Sequence, residues 1–143
     1  MLFRSALGRL AAWRRQKIDA PVVAITGSSG KTTTKEMTAA ALGETYRVHA
    51  TSGNLNNRIG MPLTLLATPE RVEAVVLELG TNEPGEIKAL VQIARPDIAV
   101  ITTVGESHLE KLGSLEGVLT EKLDILRGMV DGGQCIEIGR AHV

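Results

Sequence analysis

Pro21-Val22-Val23-Ala24-Ile25-Thr26 runs directly into Gly27-Ser28-Ser29-Gly30-Lys31-Thr32-Thr33, and this junction decides the fold. The first six residues are a short apolar run closed by a glycine turn, the pattern of a buried strand. From Lys31 to Leu42 the chain reads as a helix that carries Met37, Ala40 and Ala41 and meets no breaker before Gly43. Strand, Gly/Ser loop and helix together make a cradle for phosphate. The glycines let the backbone turn tightly so that its N–H groups face phosphate oxygens, and the helix N-terminus adds partial positive charge. Lys31 reaches the outer phosphates, and the Thr32 hydroxyl can ligate magnesium. The loop departs from the general pattern at Ile25, where that pattern has its first glycine. The competing reading is a Gly/Ser turn that only caps the helix. The strand before and the helix after favour phosphate.

Outward from this junction the same alternation continues. Arg47 to Ala50 is a second strand, Asn57 to Leu66 a helix with Pro62 in its first turn, and Val72 to Leu79 a strand. A helix over Pro84 to Ala94 is broken by Pro96-Asp97, a strand follows over Ile98 to Thr103, and Ser114 to Val130 reads as one long helix. Near-continuous apolar strands alternating with helices predict an α/β fold, a mostly parallel sheet built on the P-loop, with helices on both faces. No internal repeat or low-complexity stretch interrupts it.

The bulk composition limits the function. A chain of 143 residues holds one compact domain, 43% of its residues are apolar, and 16 basic residues balance 16 acidic ones. That balance argues against a nucleic-acid binder while leaving room for a local anion site. The single cysteine, Cys135, excludes an internal disulfide framework and suits a reducing cytosol. No apolar run approaches the roughly eighteen residues of a membrane span, and Met1 to Lys17, with Arg4, Arg9, Arg14 and Arg15, lacks the form of a signal peptide. A soluble cytoplasmic protein is expected.

Three polar residues stand out against this background. Glu78 ends the apolar run Val75-Val76-Leu77-Glu78-Leu79-Gly80. Buried there, it needs a cation or strong donors; otherwise it points to solvent or caps the Pro84 helix. In open α/β sheets ligands collect beyond the carboxyl ends of the strands, where the Gly27 loop and Glu78 would both lie. His108 follows the Ile98 strand, so Thr32, Glu78 and His108 converge if three strand ends do. Lys122 falls near the centre of the stripe Leu115, Val118, Leu119, Leu126 and Met129 on an ideal helix. It either snorkels along its alkyl stem or is held for chemistry, since desolvation lowers a lysine's pKa and makes its amine reactive toward carbon dioxide.

Four segments resemble the Mur ligases in order. They are Ala24 to Met37 around the loop, Gly53-Asn54-Leu55-Asn56-Asn57-Arg58-Ile59-Gly60-Met61-Pro62, Glu78-Leu79-Gly80-Thr81-Asn82-Glu83-Pro84-Gly85-Glu86-Ile87, and Gly105-Glu106-Ser107-His108-Leu109-Glu110 with Gly113-Ser114. Lys35-Glu36-Met37 and Asn54-Leu55-Asn56-Asn57 are most similar to the branch that adds D-alanyl-D-alanine to UDP-N-acetylmuramoyl-tripeptide. The resemblance implies an ATP-dependent, monomeric, cytoplasmic ligase of peptidoglycan synthesis working through an acyl phosphate, with ATP and Mg2+ as cofactors. It implies that Gly27, Ser28, Ser29, Gly30, Lys31, Thr32 and Thr33 hold the ATP phosphates. Thr32, Glu78, His108 and Lys122 would serve the metal, Lys122 as a carbamate, and Lys31, Lys122 and His108 would be the catalytic set. Asn54, Asn56 and Asn57 would lie on the substrate side. Within a three-domain enzyme the chain would be the first part of the central domain and inactive alone. The rivals are a sister Mur ligase or a folylpolyglutamate-type ligase, and, in another class, a non-catalytic P-loop nucleotide-binding module.

The termini carry a separate signal. Leu2-Phe3-Arg4-Ser5 can be written CTC TTC CGA TCT, and Glu137-Ile138-Gly139-Arg140-Ala141 can be written GAG ATC GGA AGA GCA, which contains the reverse complement. Such an inverted repeat is what a ligated sequencing adapter leaves. The expected organisation is therefore a lead-in helix over 1–20 with adapter-derived residues at its start, the partial ATP-binding domain over 21–137, and a non-native tail over 138–143.

Overall fold

The computed structural model describes residues 2–105 and 109–139. A lead-in helix α1 (Leu2–Arg15) precedes β1 (Val22–Thr26), α2 (Lys31–Gly43), β2 (Val48–Ala50), α3 (Gly60–Leu66) and β3 (Ala74–Glu78). Then come α4 (Glu86–Ala94), β4 (Ile98–Ile101), the short α5 (Leu109–Leu112), α6 (Leu115–Leu123), a 3-10 turn (Asp124–Gly128) and β5 (Gln134–Glu137). All five strands are parallel, in the order β2-β3-β1-β4-β5. The chain thus leaves β1 toward one edge and returns across it to β4, so the crevice at the carboxyl end of β1 is the switch point of the sheet.

β1 and β3 are buried at every residue, which is why they read as continuous apolar runs. Their side chains alternate between two cores. Val22, Ala24, Val75, Leu77, Ala99 and Ile101 face α1, α3, α4 and the 3-10 turn, packing with Ala11, Met61, Leu65, Ile87, Leu90, Val91 and Ile125. Val23, Ile25, Val76 and Val100 face α2, through Ala39 and Leu42. Helices therefore cover both faces, as the strand pattern predicts.

Four local features depart from the sequence reading or add to it. Helix α3 begins at Gly60 rather than Asn57, because Asn57 Oδ1 accepts from the amides of Ile59 and Gly60 at 3.0 and 2.9 Å and holds residues 57–59 in a turn ahead of the helix. Met37, Ala40 and Ala41 face outward on α2; the residue it buries is Lys35. The long helix over Ser114 to Val130 divides at Asp124 into α6 and the 3-10 turn. The cause is tertiary: a Cβ on Gly128 would lie 2.8 Å from the Val91 backbone, so the chain lies flush on α4 there while Ile125 enters the core. Leu115, Leu119 and Leu126 are exposed, and the buried set is Val118, Glu121, Lys122, Asp124 and Ile125. Finally, Gln134–Glu137 forms a strand on β4 that the sequence does not announce, since all four residues are exposed. The expected tail begins beside it, with Ile138 N donating to Ile101 O at 3.0 Å; residues 140–143 and Met1 lie outside the described residues.

Candidate phosphate and metal site

The Gly27–Gly30 loop is strapped to the segment after β4. Ser28 N donates to Thr103 O at 2.9 Å, Ser29 N to Thr103 Oγ1 at 3.1 Å, and Thr102 Oγ1 to Ser29 O at 2.6 Å. Ser28 Oγ donates to Gly105 O at 3.0 Å. Two glycines are required here: Gly27 has φ +152 and a Cβ on it would strike Thr102 Oγ1, while Gly30 has φ +78. Gly30 caps α2 without any side-chain hydrogen bond, so the first N–H groups of the helix remain open to an anion. Lys31 Nζ donates to Gly27 O at 3.0 Å and folds its charge back over the loop.

Glu78 is 2% exposed at the end of β3, and both carboxylate oxygens are engaged. Oε2 accepts from Thr32 Oγ1 at 3.0 Å and Oε1 from Asn56 Nδ2 at 2.8 Å. The carboxylate therefore points into the site; it neither faces solvent nor caps α4. The latter task falls to Glu121, whose oxygens accept from Thr81 Oγ1, Gly85 N and Ile87 N at 3.0, 2.7 and 2.9 Å. Next to it, Lys122 is 1% exposed, with no hydrogen bond or ion pair among the described residues. Burial, and then the charge of Lys31, push its pKa down to about 8 against the opposing pull of Glu121. Lys31 and Lys122 thus feel each other across the loop.

Of the residues singled out in the sequence, the fold brings together Lys31, Thr32, Glu78, Asn56 and Lys122. Asn54 is exposed, Asn57 spends its side-chain oxygen on the turn leading into α3, and His108 lies outside the described residues. Among the described residues no three His, Cys, Asp or Glu side chains cluster as a ready-made metal site. Sequence reasoning passed over Thr102, Thr103 and Glu121, and met Lys35 only as part of a resembling segment, with no role for it. A polar Thr102-Thr103 pair closing an apolar strand was a usable signal; Glu121 and Lys35 gave none, since each is buried by partners distant in sequence.

A family model for the Mur ligase middle domain matches residues 25–140. The chain belongs to that family. It is 52% identical over 135 residues to the UDP-N-acetylmuramoyl-tripeptide–D-alanyl-D-alanine ligase of Bacillus subtilis (strain 168), covering 94% of this chain and 30% of that protein. Among solved structures, crystal structure I of MurF from Acinetobacter baumannii superposes with a TM-score of 0.91 at 41% identity, covering 94% of this chain and 30% of that one. MurF ligase from Thermotoga maritima in complex with ADP gives 0.88 at 36% identity, covering 94% and 31%. This Mur ligase middle-domain chain thus spans about 30% of the length of the relatives it matches.

Proposed function

We propose that this chain is the phosphate- and metal-binding part of a cytoplasmic, monomeric ligase that joins D-alanyl-D-alanine to UDP-N-acetylmuramoyl-tripeptide at the expense of ATP. The observation that carries the reading is Glu78, a buried carboxylate gripped by Thr32 and Asn56 beside an open phosphate loop. Its described partners are neutral, and a carboxylate so placed is satisfied best by a cation. Carboxylate and hydroxyl oxygens are the hard donors magnesium prefers, completed by phosphate and water, so the residues fit that ion. Bound there, magnesium would neutralise charge on the transferring phosphoryl group.

The chain's own residues divide the remaining work. The loop from Gly27 to Thr33 holds phosphate oxygens through the amides that Thr103 does not engage, and Lys31 follows the phosphoryl group as it passes from ATP to the tripeptide carboxylate, giving an acyl phosphate and ADP. The amine of the dipeptide then displaces phosphate. His108 would be a further metal ligand, and Asn54 and Asn57 would join Asn56 on the substrate side. Lys122, its pKa lowered to about 8, has a neutral amine fraction that would add to carbon dioxide and release a proton to water, and the resulting carbamate anion would pair with the nearby Lys31 charge and be available to a metal ion.

The test is product formation by the intact enzyme from the same locus, supplied with ATP, magnesium, the nucleotide tripeptide and D-alanyl-D-alanine. Lys31→Ala is expected to lower turnover by about a hundredfold or more. Lys122→Ala is expected to lose most activity and to recover part of it with acetate or formate. Near-normal turnover in Lys31→Ala, or preference for a single amino acid over the dipeptide, would reject the reading.

A further inference from the structure

Lys35 lies on α2 three residues beyond Thr32 and is 0% exposed. A lysine sunk this deep needs acceptors, and its Nζ has three. It donates to Thr51 O at 2.8 Å and to Gly53 O at 3.5 Å, and it pairs with Glu36 Oε1 at 2.8 Å. The two carbonyls belong to the turn that leads from β2 into the asparagine-rich segment, where Gly53 takes φ +54.

That turn is the mount of Asn56. Thr51 is tied to β3 by its own amide, which donates to Val76 O at 2.9 Å, and by Oγ1, which accepts from Glu78 N at 3.0 Å. Asn56 then reaches Glu78 Oε1 with its side chain at 2.8 Å, while its carbonyl accepts from Gly80 N at 2.8 Å. The other oxygen of Glu78 is held by Thr32, one turn before Lys35 on the same helix. Helix α2 therefore governs both sides of the carboxylate, one through Thr32 and the other through Lys35, the 51–53 carbonyls and Asn56. A cation turned away from the phosphate loop has no task in phosphate binding, and the turn it holds accounts for its position.

We propose that Lys35 is a positioning residue: its buried ammonium locks the 51–57 segment to α2, so that Asn56 and Thr32 close on opposite oxygens of Glu78. The inference rests on the reading of Glu78 as the metal-binding carboxylate of a ligase. Lys35→Met keeps the apolar stem, one atom shorter, and removes every donor. In the intact enzyme it is expected to lower hydrogen-exchange protection of the Gly80 amide by about tenfold or more, with amides in the middle of β1 and β4 exchanging as in the wild type. It is expected to lower kcat/KM by roughly tenfold to a hundredfold, but by less than about threefold when Asn56 is already Ala, because the lysine acts through that side chain. Equal losses in the two backgrounds, or an unchanged Gly80 amide, overturn the proposal. If Lys35→Met does not fold, Lys35→Gln, which keeps an amide donor, carries the same comparison. A wild-type enzyme without ligase activity would reject the ligase reading alone, and the exchange experiment would still decide whether Lys35 holds the segment.

Discussion

Lys122 shows how one side chain couples the fold to the chemistry. It is 1% exposed, and its pKa is down to about 8 against 10.5 for an ordinary lysine, through burial first and Lys31 second. The unfolded chain therefore binds this proton more tightly than the folded one. Below pH 8 both states carry it and the folded state bears the whole penalty. Between pH 8 and 10.5 the folded state sheds the proton first, so stability rises with pH, by up to roughly 3 kcal/mol. The measurement is the unfolding free energy of wild type minus that of Lys122→Met, across this window in buffer freed of carbon dioxide. The difference should climb; a flat one would mean that the ammonium reaches water. Glu121 opposes the shift, so the same comparison in Glu121→Gln should start from a still lower pKa.

Helix α1 is held at its last turn by two arginines, Arg14, whose Nη2 donates to Thr68 O at 2.6 Å, and above all Arg15. Arg15 donates through Nε to Ala94 O at 2.7 Å, through Nη1 to Ile18 O at 3.0 Å, and through Nη2 to Arg95 O at 2.8 Å and Asp97 Oδ2 at 3.1 Å. Asp97 Oδ2 in turn accepts from Val22 N at 2.8 Å, which ties the lead-in helix, the end of α4 and the start of β1 into one unit. Only a planar guanidinium serves acceptors spread this way; a lysine ammonium reaches some of them and strands the rest. Arg15→Lys should cost about 2–4 kcal/mol, since buried carbonyls lose their donors. Urea unfolding of this chain, followed by far-UV circular dichroism and by the fluorescence of its single tryptophan, Trp13 on α1, measures the loss. A change below about 0.5 kcal/mol, the range of ordinary surface substitutions, would show that α1 is held by its apolar face alone.

The sheet order places β1 between β3 and β4, and this alone brings the phosphate loop, Glu78 and the Thr102-Thr103 pair to one crevice. The chain spans about 30% of the length of its relatives. Expressed by itself, the chain is expected to form no ligated product from ATP, the nucleotide tripeptide and D-alanyl-D-alanine. Mass spectrometry of the reaction mixture checks this, and pentapeptide product from the chain alone would refute it.

Local order determined a good deal. The apolar run before Gly27, the Gly/Ser loop and the helix after it specify a strand–loop–helix unit, because each depends on neighbours within a few residues. The carboxylate of Glu78 was legible as an anomaly for the same reason: its strand is otherwise apolar. Tertiary structure decided which asparagine meets that carboxylate, where the helix after Ser114 breaks, and that Lys35 and Glu121 are buried. Each of these depends on a partner far along the chain: Asn56 on Glu78, Gly128 on Val91, Lys35 on Thr51, Glu121 on Thr81 and Ile87. A helical pattern sees only its own period, and a charged residue reads as solvated until a distant backbone supplies its hydrogen bonds.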